Sequence, residues 1–210
     1  MLRSKSALAI LLALVFPFSG AQGASFSRIK QRDTVIGYAL VSEEDAENIN
    51  YDNKLHIENY AAINQLGSGF YLLNEPDKWL TGGGYWHCVV RANKEKLKNI
   101  DKVYIPESYQ RMNSEDRVEE ISLVGGDEEP ILEYIRSEAA FSNPEIALRF
   151  MWAQGIERHL LMSVPRAVVE GGHLSEWAKC FKTREEMEVS DDAIDWQAWK
   201  ITDPTNQLDS

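Results

Sequence analysis

Four histidines (His56, His87, His159 and His173), two cysteines (Cys88 and Cys180) and a Gly-Ser-Gly run at 67–69 offer the most chemistry in this sequence. The histidines are scattered. No H-x-x-x-H spacing sets two imidazoles on one helix face, so no metal site is expected. Ser68 does not fit a hydrolase nucleophile. That elbow needs G-x-S-x-G leading into a helix, whereas "QLGSG" sets a glycine directly against the serine and runs on into "FYLL". A phosphate-cradling loop likewise needs its glycines to open a helix. Both "LGSGFYLL" (66–73) and "TGGGYWHCVV" (81–90) lead into β-forming residues instead. A turn or bulge in which glycine supplies positive φ accounts for each. His87 adjoins Cys88 in sequence, but neighbours on a strand point to opposite faces, which gives a catalytic thiol no support.

The first residues read as a secretory signal peptide. "MLRSK" is basic, "SALAILLALVF" is apolar, and small residues surround Ala21 and Gly23. The apolar run falls short of the roughly 20 residues a spanning helix needs. Residues 1–23 are therefore expected to be removed, 24–204 to form one domain, and 205–210 to be a loose tail. The product is secreted, without a membrane segment. In that setting Cys88 and Cys180 read as one structural disulfide. The formal charge is −11, and loss of Arg3 and Lys5 with the signal makes it −13. Such a surface repels phosphate backbones and anionic lipid, which argues against nucleic-acid binding.

The pattern of elements gives the fold class. A buried strand is expected at 34–42, with Ser42 capping a short acidic helix, "EEDAENIN". "GFYLLNE" reads as a strand, with Pro76 opening a helical "PDKWL". Strands are expected at 85–92, 102–106 and 157–165. "NSEDRVEEISLV" reads as helical at its start, capped by Asn113 or Ser114. "DEEPILEYIRSEA" has Ile131, Leu132 and Ile135 at helical spacing, and "NPEIALRFMWAQ" repeats that pattern behind Asn143 and Pro144. "HLSEWAKCF" ends on the second cysteine, and "IDWQAWKI" reads as a final strand or extended segment packing on the core. Short strands mixed irregularly with short helices give an α+β fold with a mostly antiparallel or mixed sheet.

Within that frame, "LGSGFYLLNEPDKW" resembles the middle motif of the ADP-ribosyltransferase fold. The order "YALVS", "LGSGFYL", "WHCVV", "KVYIP", "ALRF", "LLMSVP" and "WAKCF" is similar to that of fungal secreted proteins of this fold, from about Tyr38 to Ile201. The resemblance implies a split antiparallel sheet, a disulfide between Cys88 and Cys180, and NAD as substrate. It makes Tyr71 the residue that stacks on nicotinamide, with Gly67 and Gly69 as close-approach positions. Tyr38 marks the first strand. Glu157 is the carboxylate that would stabilise the oxocarbenium-like transition state, a role suited to negative charge. The family's first-strand Arg or His is replaced by Ala39, which can neither bond a ribose nor pair with a phosphate. Arg91 or Arg149 are the cations that would have to substitute in space. Three readings follow. The first is a secreted effector or toxin-like enzyme that transfers ADP-ribose from NAD. The second is a catalytically inactive module of the same fold that binds a host protein. The third is a secreted structural protein of unrelated α+β fold.

Overall fold

A computed structural model describes residues 32–57, 65–76, 84–125, 127–154, 159–189 and 192–208, all within one compact unit. Two expected features, the "PDKWL" helix beyond Pro76 and the start of the strand at 157–165, lie outside the described residues. So does the expected signal segment.

The fold is mixed α and β around a seven-stranded sheet. In chain order the strands are β1 (Asp33–Val41), β2 (Gly69–Leu73), β3 (Trp86–Asn93), β4 (Lys102–Tyr104), β7 (Leu148–Trp152), β8 (Leu160–Pro165) and β9 (Trp177–Phe181). A separate two-stranded ribbon is formed by β5 (Ser108–Met112) and β6 (Val118–Ser122). Among the described residues four helices accompany them: α1 (Glu43–Asp52), α2 (Lys94–Asn99), α3 (Glu128–Ser137) and α4 (Arg166–Glu170). Across the main sheet the order is β4-β7-β8-β2-β1-β3-β9, antiparallel except for β4–β7.

The sheet is two ladders with a weak join. β1 pairs with β3 over eight residue pairs and β2 with β8 over five. Between β1 and β2 the only register pair is Tyr38 with Leu73. One face carries a single hydrophobic cluster across both halves, including Ala39, Phe70, Leu72, Val90, Phe150 and Trp196. On the other face the core divides. Tyr71, Leu73, Met151 and Leu161 pack with Ile131, Tyr134 and Ile135 of α3. Tyr38 and Val89 pack separately with Met187.

Ser42 caps α1 as expected, its hydroxyl accepting the Asp45 amide at 3.1 Å. Two expected helices are replaced by strands. Only Pro144–Ile146 makes a helical turn, and "LRFMW" then forms β7. β7 is covered on both faces, so its apolar residues run together and lose the alternation that marks a half-exposed strand. "NSEDRV" turns instead of starting a helix. Asn113 Oδ1 accepts the Glu115 and Arg117 amides, and Asp116 adopts φ 58°, which closes the hairpin. Near the C-terminus, 197–199 form one helical turn. Trp196 is buried, with its indole N–H donating to Ile36 O at 2.9 Å.

Both sheet edges are sealed. Asn50 of α1 donates to Cys180 O at 3.0 Å and accepts the Cys180 amide at 2.9 Å. Asn53 treats Ala178 the same way, through its side-chain nitrogen and its own carbonyl. At the far edge the Tyr104 amide donates to Thr202 O, and the Thr202 amide to Lys102 O. Unpaired edges invite pairing with other chains, so these contacts guard against aggregation.

Cys88 and Cys180 are directly opposed on β3 and β9 and form a disulfide across 92 residues. Chain entropy assigns such a loop about 4–5 kcal/mol. Reduction, or Cys88→Ser with Cys180→Ser, is expected to lower the melting temperature by about 10 °C or more in calorimetry. Asn50→Ala removes two bonds from one edge. In urea unfolding it is expected to cost about 2 kcal/mol.

Candidate functional site

Arg149 of β7 stands opposite Ser163 of β8, which stands opposite Tyr71 of β2. The three side chains form one row across the strands, under the loop that carries the Gly-Ser-Gly run. Arg149 and Ser163 are fully buried and Tyr71 is 7% exposed. An arginine cannot lose its charge, so its burial requires close anionic and carbonyl partners. Glu128, in the first turn of α3, supplies a two-pronged carboxylate at 2.6 and 3.0 Å from the two terminal guanidinium nitrogens. Leu66 O accepts a further bond from Arg149 at 2.9 Å. Arg149 Nε has no hydrogen-bond partner among the described residues.

The same groups fix the loop. The Ser68 amide donates to Glu128 Oε2 at 3.0 Å. The Tyr71 hydroxyl donates to Gly67 O at 2.6 Å and accepts the Leu66 amide at 2.9 Å. Arg166, at the start of α4, donates from its amide to Ser68 O and from Nε to Ser68 Oγ, at 3.1 and 3.2 Å. Burial pushes the Tyr71 phenol up to about 12, partly offset by the Leu66 amide, so it remains a neutral donor near neutral pH.

Both glycines have internal reasons to be glycine. Gly67 adopts φ 79°, and a Cβ there would run into Glu128 Oε2 and the Arg149 guanidinium. A Cβ on Gly69 would run into Ser163 Oγ and Val164 O, because β2 and β8 lie so close. Tyr38 is 3% exposed, packed with Val89 and Met187. It shares a face with Tyr71, since it pairs with Leu73 two residues further along β2. Ala39 points to the opposite face, across from Cys88. It is therefore not the position on β1 that looks toward Tyr71. On that side β1 presents Val35, Tyr38 and Leu40, which include neither arginine nor histidine. Of the two cations considered as substitutes, Arg149 lies beside the loop, while Arg91 belongs to the β3–β9 half. Glu157 lies outside the described residues. Two positions along, His159 holds its Nδ1 3.7 Å from Glu75 Oε1.

Residue pattern alone did not single out Glu128 or Ser163. The one available signal was a lone arginine inside the apolar run "ALRFMW", which calls for a buried counter-charge without naming it.

The sequence profile of a family of unknown function (DUF5910) matches residues 64–204. The chain belongs to that family. No curated protein is significantly similar to it. The DUF5910 segment begins just before the Gly-Ser-Gly loop and contains Tyr71, Glu128, Arg149 and Ser163. It excludes β1 and α1. The cluster is thus wholly a property of the DUF5910 segment, whereas Tyr38 lies in front of it.

Glu128→Ala leaves a buried guanidinium without its counter-charge and is expected to cost about 3–5 kcal/mol in urea unfolding. The double change Glu128→Leu with Arg149→Met removes the stranded charge and is expected to recover at least about half of that loss. A double variant that loses as much as Glu128→Ala, or more, would contradict the pairing.

Proposed function

We propose that this chain is an exported module on an ADP-ribosyltransferase-like scaffold that acts by binding a host protein rather than by cleaving NAD. The scaffold reading is supported by the sheet's division into two ladders joined at one residue pair, together with the motif order along the chain. The observation that carries the binding reading is the employment of Tyr71. Its ring is buried against α3, and its hydroxyl is engaged on both sides by the loop it closes. A tyrosine that stacks on nicotinamide must offer a ring face to the cofactor. The neighbouring space is taken by Glu128 and Arg149, bonded to each other.

The catalytic alternative requires NAD bound between Tyr38 and Tyr71 with Glu157 at the reacting carbon, and direct turnover decides between the two. The oxidised mature protein, incubated with millimolar NAD, is expected to release no nicotinamide above the protein-free rate, and NAD is expected to leave its melting temperature unchanged. Release of nicotinamide that disappears in Glu157→Gln would reverse the conclusion.

A further inference from the structure

We propose that the outward face of β3 and β9 around Trp177 docks an acidic segment of a partner polypeptide, anchored by an apolar side chain. Arg91 lies directly opposite Trp177, and Val89 opposite Lys179, so Arg91, Trp177 and Lys179 share one face. Diagonal neighbours in such a ladder are about 7–8 Å apart, within reach of long side chains. Val35 of β1 stands on the other side of Arg91 and extends the patch. Trp177 is 37% exposed, large for an indole on a sheet face. Arg91, Lys179 and Val35 are half-buried.

The electrostatics set this patch apart. Among the described residues neither Arg91 nor Lys179 makes an ion pair or a side-chain hydrogen bond. Other cations without partners, such as Lys94, Lys98, Arg136 and Lys200, are exposed and solvated by water. Arg91 and Lys179 are half-buried and meet no carboxylate among the described residues, in a chain with 33 acids and 22 bases. Asp33 is the nearest acid on that face of β1, two positions beyond Val35. The acids of 185–188 flank the patch, since Met187 packs against Val89, the residue opposite Lys179, but none of them pairs with Arg91 or Lys179.

The occupant follows from these groups. Two cations that pair with no described carboxylate select acidic groups, and the indole opposite Arg91 selects an apolar side chain. Tryptophan and arginine are the residue types most enriched among interface hot spots. The outer edge of β9 is already bonded to Asn50 and Asn53, so strand addition there is blocked and the partner must lie on the face.

This surface rests on the binding-module reading above, and the test keeps the two separable. A phage-displayed library of random short peptides is panned on the oxidised mature protein, and the selected peptides are synthesised and titrated. The expected peptides combine Asp or Glu with a Trp, Tyr, Phe or Leu. Arg91→Glu with Lys179→Glu is expected to weaken them at least about tenfold, as is Trp177→Ala alone. Lys94→Glu with Lys98→Glu makes the same change in net charge and is expected to alter affinity by less than about twofold. Melting temperatures confirm that each variant folds. Selected peptides that bind the Arg91/Lys179 variant unchanged would overturn the surface while leaving the module reading intact. So would equal binding by free polyglutamate or heparin, which carry no apolar anchor. An unproductive library would also overturn it. Nicotinamide release by the same preparation would instead remove the reading beneath it.

Discussion

The guanidinium of Arg149 governs one whole side of this molecule. It has no exposed surface and cannot shed its charge, so its surroundings must supply hydrogen-bond acceptors. Glu128 can do so only if α3 is docked with its first turn at the sheet. That docking in turn lays Ile131, Tyr134 and Ile135 over β2, β7 and β8. Leu66 O can do so only if the Gly-Ser-Gly loop folds back over the sheet, which requires positive φ and no side chain at Gly67. Glu128 then holds the Ser68 amide with the same oxygen that meets Arg149. A helix, a loop and three strands are thus placed by the need to satisfy one buried charge.

The rest of the sheet is held by devices at its margins. Neither edge closes into a barrel. One is finished by two asparagines from α1 and the other by a single residue of the C-terminal segment. The disulfide lies in the strand pair next to the asparagine-sealed edge, so covalent and hydrogen-bonded restraints converge on β9. Exposed polar chemistry is consequently left to the faces and to the β5–β6 ribbon, where Gln110, Glu119 and Glu120 are exposed.

Much of this was legible in the sequence where a local rule of capping, periodicity or β-propensity applies. The first strand, the Ser42 cap, the α3 periodicity and the alternation at 85–92 all follow local rules and all appear. β7 was not legible as a strand, because burial on both faces erases alternation and leaves a run that also suits a helix. The hairpin at 113–117 was hidden by ambiguity in asparagine, which caps helices and closes turns with the same side-chain oxygen. The face of Ala39 depends on a bulge between Val35 and Gly37, which resets the alternation of β1 and leaves no mark in composition. The Glu128–Arg149 pairing joins residues 21 apart through tertiary folding alone, and only the folded chain reveals it.

The join between β1 and β2 bears on how the molecule can move. On one face a continuous core binds both ladders together, while on the other the Tyr71 cluster and the Tyr38 cluster are separate bodies. The continuous face is the spine of such a sheet. Opening the opposite side would break the Tyr38–Leu73 pairing but need not divide either cluster. Opening on that side would part Tyr38 from Tyr71, much as a book opens away from its spine.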